Sequence, residues 1–238
     1  MQTLNNMQHI GIVGCSAEGA ALCYKTICIE SAQYLEPYDH PQVSMHTLSL
    51  ADYVQCIQNN DWDAVGELML NSARKLTAAG ADFLLCPDNT IHQAFDYVRP
   101  RSELPWLHIA EVVSNHALAC GYQRIGITGT QWLVMSEVYP QKLQQLGLKY
   151  LRPTEAESVE MNRIIMEELV CGHFFPESTA YFQSVITRMK ASGCDAVVLG
   201  CTEIPLIINA DNSPLPILDS TRLLAQAAIK KALIFPNG

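Results

Sequence analysis

Short apolar runs closed by glycine or turn residues alternate along this chain with longer stretches whose apolar positions recur every three to four residues. The first pattern predicts buried strands and the second amphipathic helices. His9-Ile10-Gly11-Ile12-Val13-Gly14 predicts an opening strand, followed by a helical stretch through Tyr24 to about Tyr34. Val43 to Leu48 predicts a second strand. From Trp62 to Ala79, Val65, Leu68, Met69, Ala73 and Leu76 fall at helical spacing and mark a core-facing stripe. The run Ala81 to Cys86 predicts a strand that breaks at Pro87 and reopens as a helix after Asn89 or Thr90. Trp106 to Ile109 predicts a short strand, and Glu111 to Ala119 a helix.

Then the pattern begins again. Arg124 to Thr128 restates the opening strand, and Val134 to Leu146 the helix after it. Lys149 to Arg152 predicts a short strand, Glu157 to Val170 and Tyr181 to Lys190 two helices, Ala196 to Leu199 a buried strand, and Pro216 to Asp219 a last strand before a helix from Ser220 to Leu233. Gly-Ile-Val-Gly-Cys at 11–15 lies over Gly-Ile-Thr-Gly-Thr at 126–130, while Gly80 and Asp82 lie over Gly193 and Asp195. The two offsets agree to within two residues. Such agreement implies two similar halves related by a pseudo-dyad. The expected fold is α/β: two pseudo-symmetric, doubly wound, Rossmann-like parallel-sheet domains with the active site in the cleft between them.

Composition narrows the function classes. Of 238 residues, 49% are hydrophobic and 16% charged, and the net charge is −9 with no Lys/Arg cluster. Nucleic acid and anionic membrane are bound through concentrated positive charge, so neither is an expected partner. Nine cysteines stand singly, with no C-x-x-C pair and no metal-ligand spacing, which fits reduced thiols and no metal. No apolar run approaches the roughly 20 residues of a membrane helix. Met1 to Met7 lacks the charged start and apolar core of a signal peptide, so a soluble, cytoplasmic protein is expected. Gly11 and Gly14 give only part of a dinucleotide fingerprint; no G-x-G-x-x-G can be written.

The chemistry concentrates where strands end. Ala196 to Leu199 delivers Cys201 beyond a carboxyl end, where ligands bind in such sheets. Thr202 is placed to cap a following helix, whose free N–H groups would favour an anion. On this stretch alone, an inert buried thiol competes with a reactive one. The repeat sets Asp88 opposite Cys201. Two reactive groups facing one carbon suit proton transfer from opposite faces, one side removing a proton and the other returning one. Helix N-termini after Asn89 and Thr202 would hold a substrate carboxylate, and no cofactor is needed. Cys15 and Ser16 lie on the first strand-to-helix loop, with Thr130 as their counterpart. Asp82 and Asp195 precede strands and read as structural. Cys23, Cys28, Cys56, Cys120, Cys171 and Cys194 read as packing residues.

Gly-Cys-Thr-Glu-Ile at 200–204, Asp-Asn-Thr-Ile-His at 88–92, the opening Gly-Ile-Val-Gly strand and Asn-Arg-Ile-Ile-Met-Glu-Glu-Leu at 162–169 together resemble the aspartate/glutamate/hydantoin racemase superfamily, closest to its cofactor-independent aspartate racemase branch. The resemblance implies a pyridoxal-phosphate-independent amino-acid racemase, commonly a homodimer, acting on aspartate, glutamate or a related amino acid. It implies that Cys201 is one catalytic group and that Asn89, Thr90 and Thr202 bind the substrate carboxylate. It also implies that the last segment returns to the first domain, giving domains of 1–110 plus 215–238 and of 111–214.

Two departures accompany the resemblance. The family pattern has cysteine directly before Asn-Thr, whereas this chain has Asp88; Cys86 lies two residues earlier, on the same side of an extended strand. The repeat and the Asn-Thr spacing both select Asp88. An aspartic acid at its ordinary pKa of about 3.9 is protonated in about one molecule in a thousand at pH 7, so using it as the acid costs about 4 kcal/mol. It serves more easily as a base, making the two directions unequal. Second, no Lys or Arg occurs from Thr26 to Ala73, and the later loop reads Gly-His-Phe-Phe-Pro-Glu-Ser at 172–178, so a side-chain carboxylate lacks its expected cations; His46 or Ser49 is an alternative partner. Glu203 either orients Cys201 or is a first-turn acid, and His92 either polarises the site or is structural. Two other readings stay open: a one-cysteine decarboxylase or cis–trans isomerase, and a non-catalytic small-molecule-binding protein.

Overall fold

The structure is a computed structural model describing residues 7–233; residues 1–6, on which most of the N-terminal reading rests, and residues 234–238 lie outside the described residues. The described chain divides into two compact units, one reaching to Ile109 and resuming at Thr221, the other spanning Ala110–Ser220.

In the first unit, β1 (Ile10–Gly14) leads into α1 (Ala17–Glu30), β2 (Val43–Thr47), α2 (Leu50–Gln58), α3 (Trp62–Ala78) and β3 (Phe83–Leu85). Three short pieces follow: a 3-10 turn at Thr90–Ala94, α4 (Phe95–Val98) and another 3-10 turn at Arg99–Arg101. Then come β4 (Trp106–Leu107) and α5 (Ile109–Ala119), where the chain passes to the second unit. There β5 (Arg124–Thr128) is followed by α6 (Gln131–Val134), α7 (Val138–Gln145), β6 (Lys149–Leu151) and α8 (Glu155–Arg163), which runs on as a π-helical segment over Ile164–Leu169. Next are α9 (Pro176–Ala191), β7 (Ala196–Leu199), a 3-10 turn at Ile204–Leu206, β8 (Ile217–Asp219) and α10 (Ser220–Leu233).

Each unit holds one four-stranded sheet, β2-β1-β3-β4 in the first and β6-β5-β7-β8 in the second, with every pair parallel. The α/β architecture is the expected one. The central strands β1 and β7 are buried along their whole length, as strands covered by helices on both faces are. β8 pairs with β7, so the last strand belongs to the second sheet and the return comes at Thr221, not at 215. A boundary placed before the strand could not register that pairing.

The repeat is literal at the level of register. Ile10 pairs with Phe83, and Ile125 with Ala196, which are the same two positions in each half. Just before these pairs, the Asp82 carboxylate accepts the His9 N–H at 2.6 Å, and the Asp195 carboxylate accepts the N–H groups of Gln123 and Arg124 at 2.7 and 3.1 Å. Both aspartates therefore tie the start of a central strand, at the end opposite the candidate site. Gly80 and Gly193, with φ of 88° and 87°, turn the chain out of α3 and α9 into those aspartates, a left-handed conformation that suits glycine.

Candidate active site

In both sheets the strand order reverses beside the central strand, and a crevice at such a point, beyond the strands' carboxyl ends, is where ligands bind in open α/β sheets. In each unit two loops begin at that point: those after β1 and β3 in the first, and those after β5 and β7 in the second. They carry the candidate residues.

In the first unit the loop after β3 places Asp88 beside the start of α1. Its carboxylate accepts the Cys15 N–H at 3.2 Å on one oxygen and the Ser16 N–H at 3.2 Å on each. Backbone N–H donors favour the ionised carboxylate, as does the positive end of the α1 dipole. Ser16 uses its hydroxyl to cap α1, accepting the Gly19 N–H at 3.2 Å. Cys15 and Ser16 thus meet Asp88 through their backbone.

The remaining first-unit candidates support that loop. His92 is buried; its Nδ1–H donates to the Asp88 carbonyl at 2.9 Å and its Nε2 accepts the Ile109 N–H at 3.3 Å. Those two partners select one neutral tautomer, and burial lowers the imidazole pKa to about 4. His92 is a fixed strut for the backbone of Asp88. Cys86 is fully buried, its thiol 3.9 Å from the Asp88 carbonyl, and desolvation followed by the Asp88 charge pushes that thiol well above its ordinary pKa. Such a group stays a protonated core thiol, which disfavours it as the second acid/base group. Asn89 is buried and stands just before the 3-10 turn that starts at Thr90, and its side chain makes no capping bond. The expected helix N-terminus after Asn89 is therefore a tight turn whose dipole is small. His46 Nε2 accepts from the Lys75 ammonium at 3.0 Å and its Nδ1–H donates to Ser72 Oγ at 2.9 Å, so its ring is spoken for within β2 and α3.

In the second unit the loop after β7 is closed by Gly200, whose N–H donates to the Thr128 carbonyl at 3.0 Å. A Cβ at Gly200 would lie 2.5 Å from that carbonyl oxygen, so only glycine permits the approach. The next residue, Cys201, directs its thiol at Glu203 Oε2, 2.9 Å away; the same oxygen accepts the Thr202 hydroxyl at 2.7 Å. Glu203 is buried, so its carboxylate faces the thiol inside a low-dielectric pocket. Both hydroxyl and thiol of the preceding two residues thus meet one Glu203 oxygen. Thr202 does not cap a helix: the segment that follows is the three-residue 3-10 turn Ile204–Leu206, and its flanking residue Glu203 makes no side-chain cap bond. Cys201 also packs against an apolar cluster containing Ile164, Ile165, Leu169 and Ile204.

Thr130 lies in the loop after β5, where its hydroxyl caps α6 by accepting the Leu133 N–H at 3.3 Å. The loop is held by a residue that the sequence reading gave no role: Asn162 Oδ1 accepts the Gln131 N–H at 3.0 Å. Asn162 opens the Asn-Arg-Ile-Ile-Met stretch quoted for the resemblance, and that position was its one signal. Among the described residues no group of three or more His, Cys, Asp or Glu side chains is arranged to hold a metal ion, and no helix is long and apolar enough to cross a membrane.

Twin four-stranded parallel sheets, one to each unit, define a class of two-unit α/β proteins. The profile of the Asp/Glu/hydantoin racemase family matches residues 12–228, and the chain belongs to that family. A broad specificity amino-acid racemase, RacX of Bacillus subtilis, is 21% identical over 199 residues, covering 84% of this chain and 85% of its own. A Yersinia pestis crystal structure, provisionally described as an Asp/Glu racemase, superposes with a TM-score of 0.87 at 29% identity, covering 96% of this chain and all of the other. An aspartate racemase homologue from Pyrococcus horikoshii superposes at 0.82 with 27% identity, covering 95% of this chain and 99% of its own.

Proposed function

We propose that the protein is a cofactor-independent amino-acid racemase in which Asp88 and Cys201 serve opposite faces of one α-carbon. The observation that carries this is the resting state of the two groups. Asp88 is a carboxylate held by backbone N–H donors, hence a ready base; Cys201 is a thiol whose proton points at Glu203, hence a ready acid. Asp88 removes the α-proton, and the electron pair passes into the substrate carboxylate as an enolate forms. Cys201 then delivers its proton to the opposite face, inverting the centre and leaving a thiolate beside Glu203 and a protonated Asp88. Return of both protons through solvent resets the enzyme. The opposite substrate hand needs the reversed protonation state, so the two directions are unequal.

Substrates are amino acids with a free α-carboxylate; membership of the family and the activity named for RacX both support that class. A homodimer in the cytoplasm is part of the proposal, and light scattering on the purified protein tests the dimer. One observation favours a second reading. The Asp88 carboxylate bonds the backbone of the loop after β1, and a purely structural latch there would leave Cys201 as sole proton donor, as in a decarboxylase or isomerase.

Incubation in D2O with a panel of L- and D-amino acids, followed by NMR of the α-proton and chiral chromatography, separates the two. Exchange with inversion supports racemisation. Exchange confined to one hand without inversion supports a single working base. No exchange with any amino acid overturns the proposal, and full activity of Cys201→Ala overturns the site.

A further inference from the structure

At the opposite end of the second sheet from Cys201, an open cavity of about 360 Å³ is lined by Arg124, Gln144, Leu148, Lys149 and Tyr150. The racemase chemistry has no use for it. Arg124 opens β5 and Lys149 opens β6, and the two are direct partners in the parallel register. Register partners on adjacent strands project to the same face, so a guanidinium and an ammonium stand side by side, an arrangement that repels unless something negative lies between them.

Neither cation lies within ion-pair distance of a carboxylate among the described residues. Arg124 Nε is buried without a hydrogen-bond partner. Asp195 accepts the backbone N–H groups of Gln123 and Arg124, and Glu157 is paired with Arg188.

The first half shows what a closed version looks like. His9 occupies the position equivalent to Arg124, and its ring is satisfied by the Gly80 carbonyl at 2.9 Å and the Ser44 hydroxyl of β2 at 3.0 Å. Where one half of the repeat closes this corner on itself, the other lines a cavity with two cations held in no ion pair, in a protein whose net charge is −9.

We infer that this corner binds a phosphate group, with the Arg124 fork and the Lys149 ammonium sharing its oxygens and the Gln144 amide and Tyr150 hydroxyl at the rim. A planar guanidinium gives paired donors to an oxyanion, and the ammonium supplies the second charge. The group arrives as free phosphate or on a small monoester; the cavity has room for either.

The test titrates the whole protein with sodium phosphate, and separately with glycerol 3-phosphate, at pH 7.5 and constant ionic strength held with sodium chloride, reading thermal unfolding and isothermal calorimetry. Saturable binding and a raised Tm are expected, with affinity weakened at least tenfold in Lys149→Gln. Tighter binding of the ester identifies it as the ligand type; equal binding identifies free phosphate. In phosphate-free, low-salt buffer Lys149→Gln should melt higher than the parent, because it removes the repulsion, and phosphate should reverse that order. Amino-acid α-proton exchange should be unchanged in Lys149→Gln, which keeps this result separate from the racemase proposal. A chloride response equal to that of phosphate, or unaltered phosphate binding in Lys149→Gln, overturns the inference.

Discussion

Replacing Asp88 by Asn separates a catalytic base from a structural latch on the loop after β1. The amide retains one acceptor oxygen but turns an NH2 toward backbone donors, so at least one of the bonds from Cys15 and Ser16 is lost, and with it the charge that complements the start of α1. Those contacts, at 3.2 Å, are longer than the usual 2.7–2.9 Å of charge-assisted bonds, which puts the cost at the low end, about 1–2 kcal/mol. Loss of a general base costs about 10²–10⁴ in rate. Urea melts measure the first effect, and α-proton exchange in D2O the second. Asp82→Asn is the matched control: its carboxylate holds the His9 N–H at 2.6 Å, at the other end of the sheet, so it should lose comparable stability with exchange unaltered. If Asp88→Asn loses about 1–2 kcal/mol yet exchanges within a few fold of the parent, Asp88 is a structural latch only and the two-base mechanism fails.

Three further outcomes are expected. Burial lowers the His92 pKa to about 4, whereas the unfolded chain takes up that proton near the ordinary 6.5; the unfolded state therefore binds more protons between these values, and stability falls as pH drops through that window by about 1.4 kcal/mol per unit, or roughly 3 kcal/mol in all. Urea melts from pH 7 to 4 should show this slope, and its persistence in His92→Gln would refute the assignment. Glu203→Gln keeps an acceptor near Cys201 but removes the negative charge, so iodoacetamide should alkylate Cys201 faster while kcat falls about 10-fold or more with little change in KM; a change in KM alone would refute the orienting role. Gly200→Ala drives a methyl against the Thr128 carbonyl oxygen, and should cost about 2–3 kcal/mol and slow exchange about 100-fold through displacement of Cys201; normal activity would show that the loop tolerates the shift.

Strand pattern and repeat made most of the fold legible, because both report burial. What escaped depends on polar positions and on packing between elements. α2 was passed over since its nine residues bury only Tyr53 and Ile57, although Ser49 caps its start. The helix expected over Val134 to Leu146 is α7, which starts only at Val138; the short α6 precedes it and ends before Ser136, whose hydroxyl donates to the Leu133 carbonyl and accepts the Val138 N–H. α9 starts at Pro176, five residues before its apolar stripe, because proline suits a first helical position. The π-helical turn at Ile164–Leu169 has no pattern of its own. At the site, Asp88, Cys201 and Glu203 were legible as residues, but their partners were not: the bonds of Asp88 reach Cys15 and Ser16 across more than 70 residues, a distance over which no spacing rule operates.

The divergence of the two halves at their reactive residues follows from the residue before each. Gly200 uses its N–H to fasten the loop after β7 to the strand β5 at Thr128. The equivalent residue in the first half is Pro87, which has no N–H to give. That loop is fastened instead by a side chain, the Asp88 carboxylate taking the N–H groups that follow β1. A cysteine at 88 could not accept those bonds comparably, so a thiol there needs the backbone latch that a glycine at 87 would supply. Asp88→Cys alone should therefore lose stability, and adding Pro87→Gly should recover part of it, giving a coupling of about 0.5–1 kcal/mol between neighbouring changes that are otherwise each destabilising. With thiols on both sides, the forward and reverse rates of exchange should also approach one another. Strictly additive losses in urea melts would mean that the proline and the aspartate are independent, and that the asymmetry of the site has another origin.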